Sequence, residues 1–321
     1  MQAKHTRSTF NSPLAIEVKG LTKTYEKGKV LAVDNISFNV EKAELFGLIG
    51  PDGAGKTSIF RMLVTVLLAD NGEASVNGFD VVKDRQEIRN RIGYMPGRFS
   101  LYQDLTVEEN LNFFASLFGT SIQENYELIK DIYDQIKPFN NRRAGKLSGG
   151  MKQKLALCCA LIHKPEVLFL DEPTTGVDVV SRREFWEMLK NLKKQGITIL
   201  VSTPYMDEAN LCDRIALIQN GKIMSVDTPG KIIDAYPSKL YGVKADNIYQ
   251  LLTDLRANDL VKSSYPFGEY LHVTFKNDNE QNVDELKNYG TQKEHSHFEI
   301  KQIRPSIEDG FIRMMNSKMD S

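Results

Sequence analysis

Hydrophobic and polar residues alternate along the first 230 residues in short blocks, which predict a mixed α/β protein. Residues 1–14 are predicted to be a disordered lead-in. Alternating segments after it predict the strands of an antiparallel piece. Fully apolar runs then predict strands buried on both faces, and apolar residues recurring three and four positions apart predict helices between them. The predicted strands are residues 15–18, 30–33, 36–40, 45–49, 72–76, 91–96, 167–170, 197–202 and 215–218. The predicted helices are residues 58–66, 122–136 and 181–194, with two more that begin at Thr106 and Ser148.

The chain changes character beyond Pro229, where Asn, Lys and Tyr become more frequent. Strand-like and helix-like patterns follow one another there in the order βαββαβ, which is typical of a small ferredoxin-like α+β domain. The elements are residues 238–243, 246–255, 260–265, 270–275, 282–288 and 297–303, and a final helix starts near Pro305. The sequence therefore predicts a second domain over residues 231–321.

The overall composition limits the partners of the chain. Its 321 residues are 41% hydrophobic, which is enough for one large domain and one smaller one. The 41 basic residues balance 42 acidic ones, and the net charge of −1 argues against a nucleic-acid partner. No apolar run approaches the roughly 20 residues of a membrane helix, and no signal-peptide core opens the chain. We therefore expect a soluble, cytoplasmic chain that reaches a membrane only through a partner.

Cysteine and histidine add no metal centre to the prediction. The cysteines Cys158, Cys159 and Cys212 show no metal-ligand spacing, and we expect buried thiols. His295 and His297 lie two positions apart. Their polar surroundings and the lack of a third ligand favour surface histidines over a metal pair.

Residues 50–57 form the most informative stretch, which reads G-x-x-x-x-G-K-T between a predicted strand and a predicted helix. Glycines let the backbone curl so that successive N–H groups point inward, and the helix that follows adds its positive N-terminal dipole. In such loops Lys56 would reach the β- and γ-phosphates of a nucleotide, and the Thr57 hydroxyl would bind Mg²⁺. The alternative is an ordinary glycine-rich turn before a helix. The candidate binding residues are Gly50, Pro51, Asp52, Gly53, Ala54, Gly55, Lys56, Thr57 and Ser58.

Two further stretches add candidate chemistry. Ser148 is a good N-cap, and Gly149 and Gly150 leave N–H groups open for an anion, although a capped helix start explains the same pattern. Asp171 and Glu172 follow a buried strand at its C-terminal end, where parallel sheets bind ligands. Asp171 suits Mg²⁺ or a Mg²⁺-bound water, and Glu172 is placed to polarise an attacking water. The alternative is a solvated strand end.

The order and spacing of these stretches resemble the ATP-binding subunit of ABC transporters over about residues 15–230. The resemblance is carried by the P-loop, Leu147-Ser148-Gly149-Gly150, Leu168-Phe169-Leu170-Asp171-Glu172-Pro173 and Gly176-Val177-Asp178. It implies an α/β P-loop NTPase fold of the ABC type, with a mixed sheet core, an antiparallel β subdomain and a helical subdomain at about residues 98–164. It also implies that two such domains pair head to tail. ATP and Mg²⁺ would then lie between one chain's P-loop and the other chain's Ser-Gly-Gly signature.

The same resemblance assigns roles to single residues. Tyr25 becomes the aromatic residue that stacks on adenine, and Glu172 becomes the catalytic carboxylate. Asp178 lies in the loop that crosses the dimer interface, and residues 97–104 resemble the segment that receives the coupling helix of a membrane subunit. Without the resemblance, Tyr25 is interpreted as an ordinary aromatic residue at a strand end.

Two positions depart from the family pattern. Gly97 stands where the family usually has Gln, which touches Mg²⁺ and the attacking water, and Gln103 lies six positions further on. Pro204 stands where the family usually has His, and proline offers neither a side-chain donor nor a backbone N–H. Loss of one transition-state donor costs about 3 kcal/mol, or two to three decades in rate. The sequence therefore predicts that this chain's own site binds Mg-ATP but turns over slowly. The alternative is that another residue compensates, or that this branch of the family works without the pair.

The pairing and the biological role follow from the same comparison with the family. An intact signature beside a slow site suits a heterodimer whose other ABC chain carries the competent P-loop, although a homodimer stays open. The tail Pro305-Ser306-Ile307-Glu308-Asp309 resembles those of ABC subunits that serve exporters with separate membrane subunits. We therefore expect an ATPase that powers export through integral-membrane permease subunits, on the inner face of the cell membrane. The alternative is a nucleotide-gated clamp that binds ATP without appreciable hydrolysis. Action on ribosomes or DNA fits poorly with the balanced charge.

Overall fold

The computed structural model describes residues 14–97 and 101–317. Residues 1–13 of the predicted lead-in, and residues 98–100 of the segment predicted to meet a membrane subunit, lie outside the described residues. Contacts within the chain divide it into two compact units, residues 1–229 and residues 230–321.

The first unit contains two sheets and six α-helices in the described residues. Its strands are β1 (Leu14–Tyr25), β2 (Val30–Glu41), β3 (Leu45–Ile49), β4 (Asn71–Val76), β5 (Phe79–Asp80), β6 (Ile92–Met95), β7 (Val167–Asp171), β8 (Thr198–Thr203), β9 (Arg214–Gln219) and β10 (Lys222–Asp227). Its helices are α1 (Lys56–Leu63), α2 (Arg85–Arg89), α3 (Val107–Leu117), α4 (Tyr126–Ile136), α5 (Gly149–Leu161) and α6 (Val179–Lys194). The next helix, α7 (Pro229–Asp234), begins at the last residue of the first unit and otherwise belongs to the second.

The larger sheet has the strand order β10-β9-β3-β8-β7-β6, and all of its pairs are parallel except β10 with β9. The smaller sheet, in the order β2-β1-β4-β5, is antiparallel throughout. This mixed sheet with an antiparallel companion confirms the predicted fold class. Because β3, β7 and β8 are parallel neighbours, their carboxyl ends meet at one edge of the sheet, where ligands bind in such folds.

One hydrophobic core joins the two sheets through α1. Phe38 of the smaller sheet stacks on Phe46 of β3 with ring centroids 5.6 Å apart, and Phe60 of α1 meets Phe169 of β7 edge to face at 6.0 Å. All four rings are buried. The α1 helix is therefore held rigidly under the loop that precedes it.

The prediction of separate strands at residues 30–33 and 36–40 is wrong, because β2 runs through both. Asp34 and Asn35 lie between the two predicted strands, and Asn35 has a positive φ of 49°. Their backbone N–H groups nevertheless have partners: Asp34 donates to the carbonyl of Gly221 at 2.9 Å, and Asn35 donates to the Thr22 hydroxyl at 3.1 Å. Pairing with β1 therefore continues past an irregularity, which local polarity does not reveal.

The second unit follows the predicted order βαββαβ. Its elements are β11 (Leu240–Lys244), α8 (Ile248–Ala257), β12 (Val261–Phe267), β13 (Tyr270–Phe275), α9 (Gln281–Gln292), β14 (Glu299–Ile303) and α10 (Ile307–Ser317). The strands form an antiparallel sheet in the order β12-β13-β11-β14. A core of its own includes Val243, Leu255, Leu271, Phe275 and Leu286.

A buried carboxylate holds the first turn of α10 against this sheet. Asp309 is fully buried, and its Oδ1 accepts a hydrogen bond from the Tyr265 hydroxyl at 2.7 Å and lies 2.5 Å from His272 Nδ1. Its Oδ2 accepts hydrogen bonds from the backbone N–H and the hydroxyl of Ser306, both at 2.6 Å. The Pro-Ser-Ile-Glu-Asp stretch is thus an anchor between α10 and two strands.

Asp309→Asn should loosen α10. Burial by itself would raise the Asp309 pKa, but hydrogen bonds from His272, Ser306 and Tyr265 outweigh it and hold that pKa below its ordinary value. Because the folded pKa lies below the unfolded one, the stabilisation is complete above about pH 4 and is lost as the pH falls through the folded value. We expect the substitution to cost about 2 kcal/mol at neutral pH. Hydrogen exchange of the α10 amides in the full chain measures the loss.

The matched control for this anchor is Asp259→Asn, because the Asp259 side chain is exposed and its basic partner Lys276 lies 3.9 Å away. We expect this control to change α10 protection by less than about 0.5 kcal/mol. Equal hydrogen-exchange protection of α10 in the Asp309 variant and the native chain would show that Asp309 does not anchor this helix.

The two histidines of the second unit have separate acidic partners. His297 is exposed as predicted, and its Nδ1 lies 2.9 Å from Asp246. His295 is not a surface residue, because its side chain is only 4% exposed and pairs with Asp254 at 3.1 Å. The described residues contain no cluster of three or more potential metal ligands.

Candidate nucleotide site

The loop between β3 and α1 has the tight geometry that its glycines predict. Gly55 adopts a φ of 104°, and a Cβ there would lie 2.3 Å from the carbonyl oxygen of Ala32. A Cβ on Gly50 would lie 2.2 Å from the carbonyl oxygen of Ile218. Both positions therefore require glycine. The loop delivers the chain to the start of α1, where the unpaired N–H groups of a first helical turn attract anions.

Lys56 lies at the centre of this loop and is almost fully buried. Its Nζ donates to the carbonyl of Gly50 at 2.8 Å and to that of Pro51 at 3.0 Å, and it lies 3.0 Å from Glu172 Oε1. A buried ammonium needs such partners. The structure thus brings together the cation of the P-loop and the carboxylate after β7. A phosphate that binds Lys56 would compete with Glu172 for it.

The remaining P-loop residues surround this centre. Asp52 and Gly53 are exposed, whereas Ala54 is buried. Thr57 is half-buried in the first turn of α1. The hydroxyl of Ser58, the next residue, lies 3.0 Å from the hydroxyl of Tyr25. This contact places Tyr25 beside the P-loop helix.

The carboxylates after β7 are held by the end of β8. Asp171 is 2% exposed, and its Oδ1 accepts a hydrogen bond from the Ser202 hydroxyl at 2.7 Å. Glu172 has a positive φ of 52°, a strained conformation for this residue. Its N–H donates to the carbonyl of Ser202 at 3.1 Å and to the Ser202 hydroxyl at 2.9 Å, and both contacts hold it in place. Sequence reasoning missed Ser202, because only the parallel pairing of Asp171 with Ser202 reveals its role.

Tyr94 lies within electrostatic reach of the Asp171 carboxylate at this edge of the sheet. Burial raises the pKa of Tyr94 to about 12, and the charge of Asp171 contributes to the increase. Tyr94 belongs to β6, the neighbour of β7. A buried carboxylate such as Asp171 suits a cation ligand.

The signature segment begins α5 as predicted. The Ser148 hydroxyl accepts a hydrogen bond from the N–H of Met151 at 3.3 Å, which confirms the N-cap. Gly149 is exposed. A Cβ on Gly150 would lie 2.6 Å from the hydroxyl oxygen of Ser181, so glycine here allows α5 and α6 to approach closely.

Asp178 is the N-cap of α6, a role that sequence reasoning missed. Its Oδ1 accepts hydrogen bonds from the N–H groups of Val180 at 3.1 Å and Ser181 at 3.0 Å. The backbone bond from Ser181 is the largest of several contacts that lower its pKa. An Asp directly before a helical pattern was the signal that could have found this cap. The exposed Val179 and Val180 follow it.

The two positions that depart from the family pattern lie in segments that adjoin the site. Gly97 lines a cavity of about 200 Å³ together with Gln103, Gly149 and Glu172. A Cβ on Gly97 would lie 3.0 Å from the carbonyl oxygen of Asp171, so a larger residue would need a small shift. Pro204 directly follows β8, the strand that holds both carboxylates in place.

The residues at this sheet edge fit Mg-ATP. Phosphate oxygens bind ammonium groups and N–H donors, which Lys56 and the first turn of α1 would supply. Mg²⁺ prefers oxygen ligands, which Thr57 and Asp171 would supply. Bound Mg²⁺ would neutralise charge on the phosphates.

Comparison with known proteins identifies the family. The sequence profile of the ABC transporter family matches residues 33–175. The chain is 34% identical over 313 residues to Nod factor export ATP-binding protein I of a Rhizobium species, a match that covers 96% of this chain and 99% of that protein. It is 38% identical over 225 residues to doxorubicin resistance ATP-binding protein DrrA of Mycobacterium tuberculosis, covering 69% of this chain and 68% of DrrA. The chain therefore belongs to the ATP-binding proteins of ABC transporters.

Further matches agree with this family. The "Probable multidrug ABC transporter ATP-binding protein YbhF" of Escherichia coli is 41% identical over 227 residues, a match that covers 70% of this chain but only 39% of YbhF. A solved ATP-binding subunit of an ABC transporter has 27% identity and a TM-score of 0.62, covering 69% of this chain and 93% of that one. A dimeric ATP-binding cassette bound to ADP and phosphate shares the fold, with 24% identity and a TM-score of 0.60 over 66% of this chain and 98% of that one. The protein is an ABC-type ATPase that uses ATP and Mg²⁺.

In the described part of the chain, no helix is both long enough and apolar enough to cross a bilayer.

Proposed function

We propose that this chain is the ATP-driven subunit of an exporter and acts on separate membrane permease subunits from the inner face of the membrane. The observation that carries the proposal is the meeting of Lys56 and Glu172 at 3.0 Å, which places a phosphate-binding cation beside a carboxylate able to polarise water. The names of relatives support export, since they include a Nod factor export protein and a doxorubicin resistance protein. In this proposal, residues 15–230 bind ATP and residues 231–321 form an accessory domain.

The surface proposed to meet the permease lies in residues 97–104, at the start of the helical subdomain of residues 98–164. Tyr102 in this segment is 50% exposed and packs edge to face on Phe113 of α3 with ring centroids 4.7 Å apart. Asn110 fixes the segment, because its side chain accepts from the N–H of Tyr102 at 2.9 Å and donates to the Tyr102 carbonyl at 3.1 Å. An exposed aromatic residue whose backbone is held by Asn110 suits an apolar coupling helix.

The site on this chain's own P-loop is proposed to turn over slowly. Gly97 has no side chain to reach the attacking water, and Pro204 has no donor for the γ-phosphate. Glu172 keeps the general-base position, so hydrolysis would be slowed rather than abolished. Gln103 lines the same cavity as Gly97 and Glu172, which makes it the residue best placed to supply a remaining amide.

The proposed assembly is a dimer with a second ABC chain, and we favour a heterodimer. Ser148, Gly149 and Gly150 would close over the partner's ATP, while Asp178 would lie at the shared interface. The exposed Ser148 and Gly149 support this arrangement, because they are accessible to another chain. A homodimer would carry two slow sites.

The purified chain should show slow ATP turnover that rises when the missing donors are supplied. We expect Gly97→Gln combined with Pro204→His to raise the single-turnover rate by about ten-fold or more, because each missing donor costs about two decades. Binding of Mg-ATP should change little. The rate is measured with protein in excess over labelled ATP.

The control for these added donors is Gly97→Ala combined with Pro204→Ala, which alters the same positions without adding a side-chain donor. An equal gain in this control would show that backbone changes, not donors, are responsible. A native chain that already turns over at about 1 s⁻¹ or faster would contradict the slow site.

A further inference from the structure

Glu208 is a buried carboxylate that lies outside the proposed nucleotide contacts. It follows β8 and is 2% exposed. Its Oε2 accepts hydrogen bonds from the hydroxyl of Thr203 at 2.5 Å and that of Thr174 at 3.1 Å. Its Oε1 accepts from Arg182, at 3.1 Å from Nε and 3.0 Å from Nη2. Both carboxylate oxygens therefore have two hydrogen-bond donors each.

These partners come from three segments that border the site. Thr174 lies two residues after Glu172, Thr203 is the last residue of β8 and precedes Pro204, and Arg182 belongs to the first turns of α6. Both threonines are fully buried. Because one carboxylate binds all three segments, a movement of the α6 start relative to the Glu172 loop would break hydrogen bonds in a buried site, which is costly.

The Arg182 side of this network faces outward. Its side chain is 20% exposed, its guanidinium lies 4.1 Å from the ring centre of Tyr205, and Asp207 is 3.5 Å away. Arg182 also donates its backbone N–H to the carbonyl of Asp178, the residue that caps α6. A charged pair of this kind resists separation, because either partner left alone would be a poorly solvated charge.

We propose that Glu208 is a positioning residue that couples the Asp178 end of α6 to the loop carrying Glu172. The inference rests on the proposed function, in which Asp178 lies at a dimer interface and Glu172 polarises water. Closure of a partner chain on the α6 start would be transmitted through Arg182 and Glu208 to Thr174 and Thr203. Glu208 itself touches no nucleotide. Its loss should therefore change the rate of hydrolysis and not the affinity for ATP.

The test is Glu208→Gln in the full chain, which keeps the shape of the side chain but removes its charge. We expect the single-turnover rate to fall by about ten-fold or more, while the dissociation constant of Mg-ATP stays within about two-fold of the native value. Equilibrium binding of a fluorescent ATP analogue gives that constant, and thermal unfolding reports stability. If the variant does not fold, Arg182→Gln removes the same ion pair from its more exposed side and carries the same expectation.

The matched control is Glu44→Gln. Glu44 is also buried, at 7% exposure, and pairs with an arginine, Arg214, at 3.3 Å. It precedes β3 and therefore lies at the opposite end of the sheet from the site. We expect it to lower thermal stability but to leave the single-turnover rate unchanged.

The outcomes separate this inference from the proposed function. A normal rate in the Glu208 variant, or equal loss of rate in the Glu208 and Glu44 variants, overturns the positioning role. Weaker ATP binding with an unchanged rate overturns it as well. Glu172→Gln, measured in the same assay, distinguishes failure of the positioning role from failure of the proposed function. If the Glu172 variant keeps its single-turnover rate, the proposed function itself has failed.

Discussion

Lys56→Ala is expected to abolish tight binding of Mg-ATP. Lys56 is the buried cation of the P-loop, held by the carbonyls of Gly50 and Pro51. Charge-assisted hydrogen bonds are worth about 1.5–3 kcal/mol each, and a loss of about 2.8 kcal/mol weakens binding about 100-fold. The substitution would also leave Glu172 without its cation, so its negative charge would repel the phosphates. Equilibrium binding of labelled ATP, with and without Mg²⁺, measures the effect.

A suitable control for Lys56 is Lys83→Ala, because the Lys83 side chain is 81% exposed and pairs with Asp80 at 3.7 Å. It removes the same charge from the same unit, away from the site. We expect native affinity in the control. Undiminished ATP affinity in the Lys56 variant would mean that the loop of residues 50–57 does not bind a phosphate.

Glu172→Gln is expected to stop hydrolysis while preserving nucleotide binding. A positioned general base contributes about 10²–10⁴-fold to a rate, and a glutamine side chain cannot accept the proton. Binding should be retained or tightened, because the neutral amide would compete less with phosphate for Lys56. Phosphate release in a single turnover gives the rate, and a parallel binding titration gives the affinity.

The same variant separates the ATPase from a nucleotide-gated clamp, in which hydrolysis belongs to a partner. In the clamp, Glu172→Gln would leave turnover of the assembled complex nearly unchanged. Glu166→Gln is the matched control, since Glu166 precedes the same strand at its other end and its side chain is 60% exposed. We expect that control to behave as the native chain.

Local sequence correctly predicted the secondary structure around the candidate site. The glycines of residues 50–57 and the apolar runs around them were sufficient for the strand, loop and helix, because steric limits and periodicity act within a few residues. The helix predicted to begin at Thr106 is likewise present, and a capping box starts it: the Thr106 side chain accepts from the N–H of Glu109, and the Glu109 side chain accepts from the N–H of Thr106. The buried thiols of the three cysteines are also confirmed.

The same reasoning could not identify hydrogen-bond partners that are distant in sequence. His295 was interpreted as a surface residue because its neighbours in sequence are polar, yet it pairs with Asp254, 41 residues earlier. The Asp34-Asn35 pair suggested a strand break, but Gly221 and Thr22 satisfy its backbone. In both cases the deciding group is distant in sequence.

The sequence by itself determined the phosphate loop, the buried parallel strands and the presence of two acids at a strand end, since these follow from residue type and spacing. Only the tertiary structure decided that Glu172 meets Lys56, that Ser202 holds Asp171 and that Glu208 joins three segments. The physical reason is strand order. Placing β8 between β3 and β7 brings these groups within hydrogen-bond distance, and neither composition nor periodicity specifies which strands become neighbours.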